Sequence, residues 1–145
     1  MKRSARRRAG FLGAVVIACA PRPPHDVLVT GRDYAFEAPD TVPSGPVVFR
    51  YRNAGKVRHE MIVLRLTEGA SSSAVVDAMK ADSGTLALRE PGVGVLFADP
   101  GESNKLGIAM DLIAGRKYLL VCRFRDEKDK PPHDTMGMYK LVVAH

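Results

Sequence analysis

Lys117-Tyr118-Leu119-Leu120-Val121-Cys122, then, after ten residues, His133-Asp134-Thr135-Met136-Gly137-Met138 running directly into Tyr139-Lys140-Leu141-Val142-Val143, is the stretch that decides the fold. Its two apolar runs are rich in β-branched and aromatic residues, and Ala114-Gly115 supplies the turn that opens the first. Both read as strands. Immediately upstream, Lys105-Leu106-Gly107-Ile108-Ala109-Met110-Asp111-Leu112 alternates as a strand with one buried face does.

The same signals recur towards the N-terminus. Val27–Thr30 and Tyr34–Phe36 are short apolar runs separated by Gly31-Arg32-Asp33, and Pro39–Pro46 is a turn cluster. Val47–Asn53 is a further strand that stops at Asn53-Ala54-Gly55, and His59 opens another that continues through Leu66. The middle differs. Ser71-Ser72-Ser73 leads into Ala74–Ala81, with apolar residues at helical spacing and a serine available as cap, which predicts one short helix on the side of the domain. Asp82–Gly101 is dense in glycine and proline and reads as loop, apart from a short strand at Val93–Phe97. Seven or eight short strands punctuated by turns argue an all-β sandwich.

The first 18 residues stand apart. Lys2, Arg3, Arg6, Arg7 and Arg8 precede a nine-residue apolar run, Gly10–Ala18, too short to span a bilayer, which needs about 20 helical residues. This is the pattern of a signal peptide. Val16-Ile17-Ala18-Cys19 resembles a bacterial lipobox, in which cleavage leaves a lipidated Cys19; ordinary cleavage after Ala18 or Ala20 is the rival. The division expected is a signal peptide at 1–18, a lipidated, proline-rich tether at 19–25 and one domain at 26–145. The protein is then exported, as a periplasmic or cell-envelope lipoprotein held to the membrane by its lipid, or otherwise secreted. The leader carries five of the 22 basic residues and no acidic one, so 17 basic face 16 acidic in the remainder. Such a balance excludes an electrostatic case for nucleic acid.

Once Cys19 is set aside, Cys122 is the sole thiol of an exported chain, where thiols ordinarily pair. It needs burial, a metal or reactivity to explain it. One thiolate, Cys122, two imidazoles, His59 and His133, and one thioether, Met138, are soft and borderline donors of the kind that suit copper in a trigonal site with a weak axial sulfur. Each residue alone has a plainer role. A cysteine at a strand end is commonly a small buried hydrophobe, a histidine entering a strand a turn residue, and Met136 and Met138 core filler. The charged run Arg125–Lys130 reads as a solvated loop, and His25 and His145 lie near the ends of the chain. The joint occurrence of the four, in order and at strand ends, is what favours a metal.

Pro43–Phe49 followed by Asn53–Met61, then Asp111–Cys122, then His133–Met138, resembles the cupredoxins, and the resemblance covers nearly all of Asp26–His145. It implies a Greek-key sandwich holding one copper ion on His59, Cys122, His133 and Met138. The four residues between His133 and Met138 match plastocyanin and favour Met138 over Met136 as axial ligand. It further implies a monomeric carrier of single electrons between redox partner proteins. Where cupredoxins place two to four residues between Cys and His, this chain places ten, Arg123–Pro132. Closing a loop costs only about 0.6 kcal/mol per doubling of length, so the excess is roughly 1 kcal/mol. A thiolate–imidazole metal site contributes on the order of 10 kcal/mol, judged from zinc. Length does not forbid a site.

Two other functions share these residues. One is a copper-handling or metal-free binding module on the same sandwich. The other is an enzyme with Cys122 as nucleophile and His133 or His59 as base, for which no orienting third group or oxyanion element is apparent.

Overall fold

The computed structural model describes residues 22–81 and 86–145. The leader, Cys19 and the first two residues after it, Ala20 and Pro21, lie outside the described residues. Nine strands and one α-helix follow one another as β1 His25–Arg32, β2 Ala35–Glu37, β3 Thr41–Val42, β4 Gly45–Asn53, β5 His59–Leu66, α1 Ser72–Lys80, β6 Arg89–Ala98, β7 Ile108–Leu112, β8 Lys117–Val121 and β9 Tyr139–Ala144. They form two sheets, β2-β1-β4-β7 and β3-β9-β8-β5-β6. The chain crosses between sheets from β2 to β3, β3 to β4, β4 to β5, β6 to β7 and β7 to β8, so β8 returns beside β5. That is the Greek-key sandwich expected. No described helix is long and apolar enough to cross a membrane.

Strand parity distributes the side chains. In β4, Val47, Phe49, Tyr51 and Asn53 are buried while the residues between them are not. In β5 and β8, inside the second sheet, both faces are largely buried, because both are covered. Met61 and Val63 of β5 with Tyr118 and Leu120 of β8 enter the core between the sheets. Leu64, Leu66, Leu119 and Val121 face a second cluster under α1. The helix begins where the sequence puts it. Ser71 Oγ accepts from Ala74 N at 3.1 Å, and Val75 and Met79, four apart, form its buried stripe.

Three local expectations are corrected. The segment read mostly as loop is a ten-residue strand, β6, although it contains Pro91, Gly92 and Gly94. It lies at the edge of its sheet, where a missing N–H is tolerated, and its register against β5 shifts near Gly92, whose φ is +100°. Thr41–Val42, inside the expected turn cluster, pairs in parallel with β9. The alternating strand begins at Ile108 rather than Lys105, leaving Leu106 exposed. At the N-terminus, His25 already pairs with Val47.

Candidate metal centre

Parity also builds the site. His59 stands two residues before Met61 on the inward face of β5, and Cys122 two residues after Leu120 on the inward face of β8. Since β5 and β8 are antiparallel neighbours, both reach the same end of the sandwich.

The ten-residue connection is zipped at its base. His133 N donates to Phe124 O at 2.9 Å and Asp134 N to Cys122 O at 2.8 Å. Cys122 N donates in turn to Met138 O at 3.1 Å. Hydrogen bonds of about 1 kcal/mol each offset the closure cost of the long loop. The buried Asp134 carboxylate adds an ion pair to Arg123, at 2.8 Å. A single 3-10 turn, His133–Met136, closed by Gly137 at φ +109°, then carries the chain into β9.

His59, Cys122, His133 and Met138 all have 0% exposure. One nitrogen of each histidine and the sulfur lie within 4.8 Å of one another. His59 Nδ1 is 2.9 Å from His133 Nδ1, and Cys122 Sγ is 3.5 Å from His133 Nδ1. The loop therefore does return its terminal imidazole to the thiol, beside the distant ring. Met138 is buried in the same core cluster as Cys122, whereas Met136 is 39% exposed.

The far side of each ring is held by a carboxylate. His59 Nε2 lies 3.3 Å from Asp33 Oδ1, and His133 Nε2 lies 3.1 Å from Asp126 Oδ1. An ionised carboxylate only accepts, so each of these pairings calls for the hydrogen on Nε2, the tautomer that leaves an Nδ1 lone pair facing inwards. Carboxylate–histidine–metal arrays are built this way. Burial works against the Asp33 carboxylate, but hydrogen bonds from Lys56 N, His59 and Val57 N hold it below the usual carboxylate range. Burial pushes the His59 imidazole down, opposed by its bond to Asp33 and reinforced by His133. Burial likewise pushes the Cys122 thiol up to about 12, against hydrogen bonds from the backbone of Glu60 and Phe124. The Glu60 N–H donates to Sγ at 3.4 Å.

Several contributors were not legible as such in the sequence. Tyr34, read as part of a strand, sits in the β1–β2 turn with φ +63° and its ring T-shaped against those of His133 and His59, centroids 5.1 and 6.3 Å away. Asn53, read only as a strand end, is fully buried and pins the loop before His59. Its Nδ2 donates to Val57 O and Ala98 O at 2.8 and 2.9 Å, while its Oδ1 accepts from Gly55 N at 2.9 Å. A turn aspartate and an asparagine after a strand are ordinary turn chemistry, so neither carried a signal.

The donor set fits copper better than it fits a hard cation. A thiol and two imidazoles match soft or borderline metals, Met138 lies in the same buried cluster as the thiol, and no carboxylate oxygen belongs to the converging group.

No protein-family model matches the chain, and no curated protein matches it in sequence. Solved structures do. A dithionite-reduced auracyanin from the photosynthetic bacterium Roseiflexus castenholzii matches with a TM-score of 0.53 at 18% identity, over 83% of this chain and 96% of the other. Auracyanin B matches with a TM-score of 0.53 at 19% identity, over 86% and 91%. With two sheets in this order and that likeness, the chain has the cupredoxin fold.

Proposed function

We propose that the protein binds one copper ion through His59, Cys122 and His133, with Met138 as axial thioether, and carries single electrons. The observation that carries this reading is the convergence of two imidazole nitrogens and one thiol sulfur, all buried, at one end of a cupredoxin sandwich. When bound, copper supplies a one-electron couple, with thiolate, imidazole and thioether donors suiting both of its oxidation states. The chain does the rest. Two antiparallel strands fix His59 and Cys122, the zipped loop base fixes His133, and Asn53 fixes the approach to His59. The sandwich excludes water from all four side chains.

A carrier is favoured over an enzyme. A buried thiol with its pKa pushed up to about 12 is a poor nucleophile at neutral pH. Export by the leader, lipidation at Cys19 and a tether to the cell envelope belong to the same proposal, which rests there on the basic and apolar pattern of residues 1–18. The partners proposed are redox proteins outside the cytoplasm, met by a monomer.

Addition of Cu(II) to the purified domain tests the reading. The expected result is one equivalent bound, an intense thiolate-to-copper band lost in Cys122→Ser, and a reversible one-electron potential. Binding without that band assigns the site to copper handling, and absence of binding overturns the proposal.

A further inference from the structure

The long connection does more at this site than close it. Asp126, four residues past Cys122, uses both carboxylate oxygens: Oδ1 faces His133 Nε2 at 3.1 Å, and Oδ2 accepts from Tyr34 Oη at 3.1 Å. Tyr34 comes from the β1–β2 turn, 92 residues away in sequence, and is held there in a left-handed backbone conformation that a tyrosine seldom adopts. Its ring packs in a T-shaped arrangement with the His133 ring, and Phe124 does the same with centroids 5.8 Å apart. The imidazole is thus enclosed, and its Nε2 hydrogen is directed to Asp126.

The alternative tautomer has a ready partner. With its hydrogen on Nδ1, His133 would donate directly to His59 Nδ1, which already stands 2.9 Å away. The two inward lone pairs would then be consumed by one imidazole–imidazole hydrogen bond and withdrawn from any metal. A carboxylate on His133 Nε2 removes that option, because it can only accept.

We infer that Asp126 and Tyr34 form a clasp in which Asp126 is a positioning residue, holding His133 in the tautomer whose Nδ1 is open to a metal. The connection that departs most from a short cupredoxin loop is therefore what supplies this support. The consequence for metal affinity rests on the copper reading; the tautomer itself does not.

The test is long-range nitrogen–proton NMR on the metal-free protein at pH 8, paired with Cu(II) competition titrations. Wild type should carry the His133 hydrogen on Nε2. Asp126→Ala should shift it to Nδ1 and weaken Cu(II) about 10- to 100-fold, the usual range for losing such a support. Asp126→Asn keeps an acceptor oxygen and should restore the tautomer and most of the affinity. Tyr34→Phe should give a smaller loss of the same kind. The clasp is overturned if Asp126→Ala, folded as judged by its thermal transition, keeps the wild-type tautomer. It is equally overturned if Asn and Ala lose affinity alike while both keep that tautomer. Failure of wild type to bind copper would remove the carrier reading, while the tautomer comparison would still decide the clasp.

Discussion

Asp33 Oδ1 accepts from Lys56 N at 2.7 Å and lies 3.3 Å from His59 Nε2, so one carboxylate oxygen joins the β1–β2 turn, the loop before β5 and the imidazole proposed as a copper ligand. Asp33→Ala should therefore weaken Cu(II) binding about 10- to 100-fold. Asp33→Asn, which keeps an acceptor, should lose less. Competition titration against a chelator of known affinity measures both; equal affinity for wild type and Asp33→Ala would refute the coupling.

The loop ending at His59 depends on Asn53. Asn53→Ala would leave Val57 O, Ala98 O and Gly55 N without their partner in a buried setting. At about 1–3 kcal/mol for each group that water cannot reach, a loss of roughly 2–4 kcal/mol is expected in urea unfolding of the metal-free domain. Gly55→Ala separates stability from binding. Its Cβ would collide with Asp33 Oδ1 and stand 3.0 Å from His59 Nε2, so metal affinity should fall more than stability.

The two methionines of the last turn should behave differently. Met138 is fully buried in the central core, so Met138→Ala should cost about 2–5 kcal/mol in the metal-free protein and alter the copper spectrum. Met136 is 39% exposed, and Met136→Ala should fall within about 0.5 kcal/mol of wild type with an unchanged spectrum. An unaltered spectrum in Met138→Ala would exclude it as axial ligand.

A pH effect follows from the far end of the sandwich. The hydrogen bond from Arg116, against some burial, holds the Glu90 carboxyl below its ordinary value, and Arg65 pairs with its other oxygen at 2.7 Å. A carboxylate depressed in the folded state stabilises above its unfolded pKa, and that contribution disappears as pH falls through the folded one. The stability gap between wild type and Glu90→Gln should thus be present at pH 6–7 and close as the solution is acidified below the ordinary glutamate range. Parallel denaturation curves at a series of pH values check the sign. A gap that widens with acid would contradict it.

The strands that carry the donors were legible because each buries a clear face. Val47, Phe49 and Tyr51 alternate inwards, and Tyr118, Leu120 and Cys122 share one parity. Their places at strand ends, His59 opening one strand and Cys122 closing another, are what marked the two as partners. What escaped was written in polar residues that act across long separations. Asp33 reaches His59 over 26 positions and Tyr34 reaches Asp126 over 92, and nothing local distinguishes them from other turn residues. Val93–Phe97 read as a strand, but the first part of the edge strand β6 escaped for the opposite reason, since Pro91 and Gly92 signal loop wherever a strand has no edge to tolerate them. Within the long connection, the charged run Arg125–Lys130 reads as a solvated loop. Its closure depends on backbone groups of Cys122 and Phe124, which composition does not reveal.

Complete enclosure of His59, Cys122, His133 and Met138 gives the centre a doorway problem. On the proposed copper reading, an ion needs an opening to reach donors enclosed in this way, and the Asp33–Tyr34 turn and the span around Asp126 are the segments that border the two rings. Filling should then level off at high copper concentration, at the frequency of that opening, and alkylation of Cys122 should meet the same ceiling. Stopped-flow traces that climb in proportion to copper without a plateau would mean the door stands ajar.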